Sequence, residues 1–462
     1  MNIIAHCIDQ ISSVLQESFH SMEDGQMNLT DLVKNIRHTM RDLSVEMVED
    51  ILRKTEESIY QSPKRKRTYT VQRKDDKKTI ATLLGDITFE RRYYVHRKTG
   101  EFSHLLDDFL ELTPHQRMDS SVEEAILERA SEQSYQQSID SLEGIGIHSR
   151  TTVMNVVHKY SADNAVLPTG PKKQVDYLYV EADEDHVAYQ DSKNREMRLV
   201  YVHEGYKDTN GAIKRSELKI ARRFTGLYED SGELWADVSH YLEEQYDTTA
   251  CKQIFLSGDG ASWIKKGMDY LPAKTIFVLD PFHTSQAAKR ASAGMRDMFP
   301  ILQNWIQKGH KGYVSDYFSR RLQDTWLSAN MRQTLENSRT YLKRNWESIQ
   351  LQASPHYISC SAEGHVSHWL SARLSSRPLG WSKRGAENIA KLRIYTRNGG
   401  SITKLIATKQ KEEQRERKID RLDKRVSRKH SQHYDVIQAR IPLLTHSTHS
   451  TSRTMMNNIR GM

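Results

Sequence analysis

The stretch from residue 174 to 285 most constrains the fold, because strand-like apolar runs alternate there with amphipathic helical runs. Three runs rich in β-branched and aromatic residues come first, namely QVDYLYVEADEDHVAY, MRLVYVHEGY and ELKIARRFTGLY. A helical run (GELWADVSHYLEEQY), a buried strand (KQIFLSGDG), a second helical run (ASWIKKGMDYL) and a further buried strand (KTIFVLD) follow. This βββ-α-β-α-β order predicts an α/β fold with a mixed sheet, antiparallel in its first hairpins and parallel afterwards. The turn-like segment GAIKRS, with Gly211 at the bend, separates the second and third strands.

Two acidic residues fall where neighbouring strands of such a sheet carry their chemistry. Asp183 lies on the first predicted strand and Asp259 ends the fourth. The element order is that of an RNase H-like fold, in which these two strands are adjacent. Converging carboxylates form an all-oxygen site that suits Mg²⁺ or Mn²⁺. Two such ions, about 4 Å apart, can hold the attacking and leaving oxygens of an in-line phosphoryl displacement.

The assignment of the first acid leaves alternatives open. Asp185 lies two residues after Asp183 and Glu181 two residues before it, so the three side chains share one face of the strand. Asp185 is therefore an alternative first acid. Gly258 and Gly260 flank the second acid and are expected to leave room for a metal ion and a DNA backbone.

A third carboxylate is expected from a later helix. Between His283 and Glu363 the sequence reads as helices, and Glu363 then begins a further one. Glu347 is the main competing acid. Three tryptophans of the intervening helices are predicted to anchor their core: Trp305, Trp326 and Trp346.

Clustered basic residues indicate a polyanionic partner. The net charge is +8 and the pI is about 9.1, and two basic clusters stand out, KRKR and the run from Lys411 to His430. The β-rich segment TIATLLGDITFERRYYVHRKTGEF predicts a small hairpin unit whose face mixes basic and aromatic residues. A solvated strand face is the alternative for that unit. Basic residues also fall on the same side of a helix as Glu363, which would place them near phosphates. The residues predicted to contact DNA are Lys64, Arg65, Lys66, Arg67, Arg91, Arg92, His148, Ser149, Arg150, Thr151, Arg373 and Arg377.

The layout of residues 119 to 162 predicts a helix-turn-helix. SSVEEAILERASEQ, SYQQSIDSL and HSRTTVMNVVHKYSA read as helices, and EGIGI forms a glycine-containing turn before the third. The third helix would present its first residues, from His148 to Thr152, to base edges in a major groove. A plain three-helix bundle is the alternative interpretation.

The predicted organisation has seven parts. In chain order these are an N-terminal helical region (1–60), a basic linker with a small β unit (61–118), a helix-turn-helix (119–170), the first part of an RNase H-like core (171–295), a helical insertion (296–352), the last part of the core with the third acid (353–400) and a basic tail (401–462).

Cysteine content and hydropathy limit the compartment. Cys7, Cys251 and Cys360 are far apart and form no C-x-x-C pair, so we expect neither a disulfide framework nor a cysteine zinc site. The mean hydropathy is −0.72, and no run approaches the roughly 18 apolar residues that a membrane helix needs. We therefore expect a soluble cytoplasmic protein that does not contact a membrane.

Four segments together resemble one known family. VEADEDHVAYQ, FLSGDGASWIKKG, FVLDPFHTSQAAKR and CSAEGHVSHWLSARLSSRPLGWS are similar to the transposases of the ISLre-type insertion sequences, second group, over about residues 80 to 400. These are bacterial DDE transposases that are related more distantly to the Mutator-like transposases. The resemblance implies a metal-binding triad of Asp183, Asp259 and Glu363 on an RNase H-like core with a helical insertion before the glutamate. It also implies a bacterial, nucleoid-associated enzyme that acts as a homo-oligomer on double-stranded DNA, namely terminal inverted repeats and target DNA.

A short motif extends the resemblance. Asp280-Pro-Phe-His283 is similar to the (C/D)-x-x-H element that follows the second acid in Mutator-like enzymes, which implies that Asp280 and His283 lie near the active site and position DNA. The alternative for His283 is a capping or hydrogen-bonding role in the core.

Three functions remain possible from the sequence. The first is a transposase that cleaves at the ends of an element and joins 3′-hydroxyls to target DNA. The second is a sequence-specific DNA-binding regulator whose nuclease-like core is inactive, and the third is a stand-alone RNase H-like nuclease. Of the first two, only the transposase needs all three acids, and a stand-alone nuclease would share the core but hardly needs so large an insertion.

Overall fold

A computed structural model of the chain describes residues 3–142, 144–162, 170–207, 218–295, 297–377 and 380–437. The predicted bend at Gly211, residues 163–169 of the predicted linker, and the tail from residue 438 lie outside these described residues. The chain divides into two compact units, Met1–Thr403 and Lys404–Met462.

Helices open the first unit, as the apolar periodicity predicts. They are α1 (Ile3–Glu23), α2 (Leu29–Gln61) and α3 (Pro63–Thr68). Asn28 caps α2 by accepting a hydrogen bond from the amide of Asp31 at 3.0 Å. The segment predicted as a charged linker is instead α3 and the start of a strand, because Pro63 fits the first turn of a helix.

A small antiparallel sheet packs against α2. Its strands are β1 (Tyr69–Thr82), β2 (Gly85–His96) and β3 (Phe102–Ser103), in the order β1-β2-β3, followed by α4 (Leu105–Phe109). Gly85 has a positive φ at the tight turn between β1 and β2, where the sequence predicts a break. The apolar side chains of Ile80, Ile87, Phe89 and Leu106 form its core.

Three short helices follow where the sequence predicts them. They are α5 (Ser120–Glu132), α6 (Tyr135–Asp140) and α7 (Arg150–Lys159). Each begins with a side-chain cap, from Asp119, Ser134 and Ser149 respectively. Val153, Val156 and Val157 bury one side of α7 and leave its first turn exposed.

The central sheet is mixed, as the element order predicts. Its elements in chain order are β4 (Tyr177–Ala188), β5 (Asn194–Tyr206), β6 (Leu218–Gly226), α8 (Ser231–Gln245), β7 (Gln253–Gly258), α9 (Ser262–Lys265), β8 (Thr275–Leu279) and α10 (Pro281–Ala291). The strand order is β6-β5-β4-β7-β8. β5 pairs antiparallel with β4 and β6, whereas β7 pairs parallel with β4 and β8. The α/β class with a mixed sheet is therefore confirmed.

The two faces of β4 pack against different parts of the chain. Leu178, Val180 and Ala182 point into the main core, together with Trp235 of α8. Tyr179 points to the opposite face, where Tyr357 and Ile358 pack. Residues at odd positions of β4, including the candidate acids, therefore face the segment that precedes Glu363.

Helices fill the rest of the chain. They are α11 (Met298–Gln307), α12 (Lys311–Arg321), α13 (Ala329–Arg344), α14 (Trp346–Gln350), α15 (Ala362–Val366), α16 (Ala372–Leu374), α17 (Lys383–Arg397) and α18 (Ile402–Ile437), with a π-helical turn over Ser367–Ser371. Trp346 is buried and Trp305 packs at the core edge. The prediction for Trp326 is wrong: it is 56% exposed, and its ring stacks on the guanidinium of Arg321 at 4.2 Å. Among the described residues, no helix is both long and apolar enough to cross a membrane.

Candidate active site

Three side chains from distant parts of the chain converge at β4, the middle strand of the central sheet. Asp183 of β4, His283 of α10 and Glu363 of α15 each offer a ligand atom, and these atoms lie within 4.8 Å of one another. Asp183 is buried, His283 is half-buried and Glu363 is exposed. The group therefore opens to solvent on the side of Glu363.

Burial and neighbouring acids keep Asp183 from ionising easily. Burial, together with the negative charges of Glu363, Glu184 and Asp259, raises the pKa of Asp183 to about 8, although one hydrogen bond from the Glu184 amide lowers it. A bound cation would offset this cost, because its positive charge favours the ionised form of Asp183. The raised pKa is therefore consistent with a cation site.

Asp259 lies beside this group. Its carboxylate accepts a hydrogen bond from the amide of Ala261 at 2.7 Å, and its carbonyl accepts one from the hydroxyl of Tyr341 of α13 at 2.7 Å. Asp259 is not among the three side chains whose ligand atoms lie within 4.8 Å, but its charge contributes to the raised pKa of Asp183.

The glycines that flank Asp259 serve packing and turning. A Cβ on Gly258 would lie 2.7 Å from the carbonyl oxygen of Ala182 and 2.7 Å from Cδ1 of Ile264. Gly258 is therefore needed for close packing against β4, and the prediction that it leaves room for a metal ion is wrong. Gly260 has a φ of +88°, which lets the chain turn after the strand.

The Asp280-Pro-Phe-His283 motif lies at the end of β8. Asp280 caps α10 by accepting a hydrogen bond from the Phe282 amide at 2.8 Å. Burial, helped by the negative charge of Glu181, raises the pKa of Asp280 to about 6, although the Phe282 amide and His283 lower it. His283 Nε2 lies 3.9 Å from the carboxylate of Asp280 and 4.0 Å from that of Glu363. This buried nitrogen has no hydrogen-bond partner within the described part of the chain.

Glu181 joins β4 to the loop that precedes α15 and Glu363, a role that the sequence did not reveal. It accepts hydrogen bonds from the amide of Ser361 at 2.7 Å and from its hydroxyl at 3.0 Å. His203 lies 2.9 Å away, and the hydroxyl of Tyr201 also donates to Glu181. Burial opposes ionisation of Glu181, but the hydrogen bonds from His203, Tyr201 and Ser361 outweigh it, so the pKa of Glu181 is lowered.

Asp185 holds the other end of the same helical segment. It accepts hydrogen bonds from the hydroxyls of Ser371 at 2.9 Å and Ser375 at 2.7 Å. The carboxylate of Asp185 thus contacts the segment that follows Glu363, whereas that of Asp183 lies close to Glu363 itself. Glu181 and Asp185 together form a clamp on either side of Asp183, and this geometry favours Asp183 over Asp185 as the first acid.

The segment after Glu363 does not form the straight basic face that helical spacing predicts. Arg373 is buried, donates from Nε to the carbonyl of Ala130 at 3.0 Å, and stacks on Trp381 at 4.7 Å. The prediction that Arg373 lies on a DNA-facing side is therefore wrong. A π-helical turn takes more residues than an α-helical turn, so the π turn before Arg373 changes which way it points. Arg377 is exposed, and so is the competing acid Glu347, which lies outside the acidic group.

The other predicted DNA contacts fall into two classes. Four side chains at the start of α7 are exposed, namely His148, Ser149, Arg150 and Thr151, whereas Thr152 is half-buried and Val153 is buried. In the KRKR segment, Lys64, Lys66 and Arg67 are exposed, but Arg65 stacks on the Tyr60 ring at 4.6 Å. Two other arginines are half-buried and paired with acids of the chain, Arg91 with the buried Asp107 and Arg92 with Glu57 at 2.8 Å.

The fold and the site define an α/β protein with a mixed sheet, in which a buried strand acid meets a carboxylate and a histidine from later helices. The chain belongs to the family described as Uncharacterised protein family (UPF0236), whose model matches residues 22–414. A UPF0236 protein of Caldanaerobacter subterraneus subsp. tengcongensis, whose name joins eleven locus designations, is 35% identical over 385 residues, which are 83% of this chain and 81% of that protein. A second UPF0236 protein of the same bacterium, whose name joins four locus designations, is 35% identical over 387 residues, or 84% of this chain and 81% of its own length. The family thus has many paralogues in one bacterium.

Proposed function

We propose that this chain is a DNA transposase that cleaves and joins DNA strands by metal-dependent phosphoryl transfer, with Asp183, Asp259 and Glu363 as its acids. The observation that carries the proposal is the convergence of Asp183 and Glu363. They are far apart in sequence, on different elements, yet their carboxylates and His283 lie within 4.8 Å. The two carboxylates are hard oxygen donors, which suit Mg²⁺ or Mn²⁺.

The sheet topology supports an RNase H-like core. Three antiparallel strands come first, and two parallel strands are added beside the first of them, in the order β6-β5-β4-β7-β8. Asp183 and Asp259 are then on or after the adjacent strands β4 and β7, as that fold requires. The helices α11 to α14 occupy the position of the proposed insertion before Glu363.

The family's distribution supports a mobile element. The relatives' names join several locus designations within one bacterium. A gene that encodes its own transposition multiplies in its host genome, whereas a housekeeping nuclease or a regulator has no such tendency. Many paralogues in one bacterium therefore favour the transposase over the two alternative functions.

The described residues fit a divalent cation. Asp183 and Glu363 would hold the ion as carboxylate ligands, with Asp259 beside them. The buried Nε2 of His283 has no partner among the described residues and faces the same group. When bound, Mg²⁺ would favour deprotonation of water or a 3′-hydroxyl and offset charge on the scissile phosphate. Two ions per site are expected for strand transfer.

The chain's own residues would set the geometry of the reaction. Asp183 would bind the cation in its ionised form, and the positive charge would offset the burial and neighbouring acids that raise its pKa to about 8. Glu363 is exposed, so a DNA strand can approach from its side. The exposed first turn of α7 would bind the terminal repeats as a helix-turn-helix, and basic surfaces elsewhere would bind phosphates.

The decisive experiment is excision of a donor element with Mg²⁺, run beside a gel-shift on its terminal repeat. Glu363→Gln should abolish cleavage and strand transfer and leave DNA binding and the circular dichroism spectrum unchanged, because Gln keeps the shape but loses the charge that a hard cation needs. The matched control is Glu347→Gln, since Glu347 is exposed and outside the acidic group. Full activity of Glu363→Gln, or its loss in Glu347→Gln, would refute the assignment.

A further inference from the structure

The N-terminal helices expose an unusual amount of apolar surface. On α1 the exposed large apolar side chains are Ile4, Ile8, Leu15, Phe19 and Met22. On α2 they are Leu29, Val33, Met40, Met47 and Ile51. These ten residues are between 39% and 70% exposed. Soluble monomers rarely leave so many large apolar side chains uncovered in one region.

Each set of five follows its helix as a stripe. The spacings are mostly three, four or seven residues, which is the spacing of a seam between helices. The two helices run antiparallel, because His6 contacts Glu46 at 2.9 Å and Ser18 accepts from Asn35 at 3.2 Å.

The two stripes lie on the same side of the hairpin. Phe19 follows the contact residue Ser18 by one position, and Met47 follows Glu46 by one, so each stripe is rotated by about 100° from the face that meets the other helix. Because the helices run in opposite directions, the same rotation turns both stripes to one side. The result is a flat apolar face, two helices wide.

We infer that this face, made by α1 and α2, is the interface on which a second copy of this chain docks to form a four-helix bundle. The area fits, since ten half-exposed large side chains offer on the order of 1,000 Å² per copy, near the ~800 Å² per partner of a stable interface. Two antiparallel hairpins stacked face to face form a common helical bundle.

Charge determines which way the second copy lies. Helix α1 carries Asp9, Glu17 and Glu23 and no Lys or Arg, whereas the first half of α2, from Leu29 to Arg41, is net basic. A two-fold axis parallel to the helices places α1 of each copy over α2 of its partner, so Glu17 and Glu23 of one copy meet the basic half of α2 of the other. A perpendicular axis would stack the two acidic helices on each other.

The oligomeric state of the full chain, freed of nucleic acid by nuclease, tests the inference. Light scattering after size exclusion should give a dimer, and Leu15→Glu with Phe19→Glu should give a monomer of 53.6 kDa with an unchanged circular dichroism spectrum. Both positions are exposed, so the changes cost the isolated chain little. The control is Leu83→Glu, which alters a similarly exposed residue in the β1–β2 turn and should remain dimeric. A wild-type monomer at tens of micromolar, or a dimer that survives the double substitution, would overturn the inference.

Cysteine crosslinking tests the orientation. Phe19 and Val33 lie at about the same height on the hairpin, given the Ser18–Asn35 contact. When Phe19→Cys chains are mixed with Val33→Cys chains, oxidation should link them into a heterodimer faster than either variant links to itself. Faster self-linking of Phe19→Cys would contradict the parallel axis. No catalysis enters either test, so its outcome is independent of the proposed activity.

Discussion

At the residue scale, Asp183 combines a structural cost with its proposed role. Burial and neighbouring acids raise its pKa to about 8 from an ordinary value of 3.8. An acid whose pKa is raised on folding stabilises the protein fully below its unfolded pKa, and this contribution is lost as the pH rises through the folded pKa. The charge of Asp183 therefore destabilises the metal-free protein increasingly between about pH 4 and pH 8.

Asp183→Asn should consequently stabilise the metal-free protein. Asn cannot ionise, so in EDTA at pH 8 we expect the variant to gain at least ~1 kcal/mol in unfolding free energy over wild type, with little difference near pH 4. Thermal melts at both pH values measure this. We expect Mn²⁺ to stabilise the wild-type protein and not the variant. An equal or lower melting temperature at pH 8 would show that Asp183 ionises without cost.

At the element scale, the clamp explains how a strand and a distant helix are held in register. Glu181 binds the loop before Glu363 through Ser361, and Asp185 binds the far end of the segment through Ser371 and Ser375. Both are two residues from Asp183, so one β-strand fixes the helical segment on either side of its central acid.

Loss of the clamp should weaken the site without unfolding the chain. Glu181→Gln replaces a carboxylate, which only accepts hydrogen bonds, with an amide that has one oxygen acceptor. The amide cannot accept all the hydrogen bonds that Glu181 now receives, so the loop before Glu363 should shift. We expect Mn²⁺ affinity and cleavage to fall about 10- to 100-fold, as for other residues that orient ligands, while DNA binding persists. Asp185→Asn should be milder than Asp183→Asn. Exposed Glu196→Gln on β5 is the control. If Mn²⁺ affinity were unchanged in Glu181→Gln, the clamp would contribute to folding and not to the metal site.

The first turn of α7 leads to a prediction about specificity. Arg150 is exposed at the start of this helix, whereas Lys64 is one of three exposed basic residues of α3. Arg150→Ala should weaken binding to the terminal repeat by about 1–3 kcal/mol and leave binding to random DNA unchanged. Lys64→Ala should weaken both alike. Competition gel-shifts of the full chain measure the difference, and equal losses in both variants would argue for the plain three-helix bundle.

At the scale of the whole molecule, the net charge is concentrated in one unit. Residues 404–462 contain fourteen Lys or Arg and six Asp or Glu, which accounts for the entire +8, so acids and bases balance in the rest of the chain. Long-range attraction to DNA should therefore come from the second unit, while the first provides specific contacts.

Neutralising part of this unit should flatten the salt dependence of DNA binding. Lys411, Arg415 and Lys418 are exposed on α18. Changing all three to Gln should reduce the slope of log affinity against log salt by up to ~3, because each phosphate contact contributes about 0.9. Fluorescence anisotropy with random duplex DNA measures the slope. The matched control changes three exposed basic residues of the first unit, Lys308, Lys311 and Arg320. An unchanged slope in the α18 variant would exclude this unit from the DNA interface.

The sequence by itself determined the order and type of the elements. Apolar runs alternating with amphipathic ones predict the mixed sheet, and Asp183, Asp259 and Glu363 were predicted as acids on or beside those elements because strand ends and helix starts can be read locally. The helices over residues 119–162 were likewise predicted from caps and periodicity. These features depend on short-range sequence patterns, which can be recognised without knowing how the rest of the chain folds.

Only the tertiary structure decided which side chains meet. Arg373 was predicted for an exposed face, but a π turn and Trp381 bury it. Glu181 and Asp185 were indistinguishable from Asp183 by spacing, and only the position of the Glu363 segment gives each a different partner. Trp326 matches a core pattern and yet is exposed. Such outcomes depend on contacts between residues far apart in sequence, and the local periodicity of a strand or helix carries no information about them.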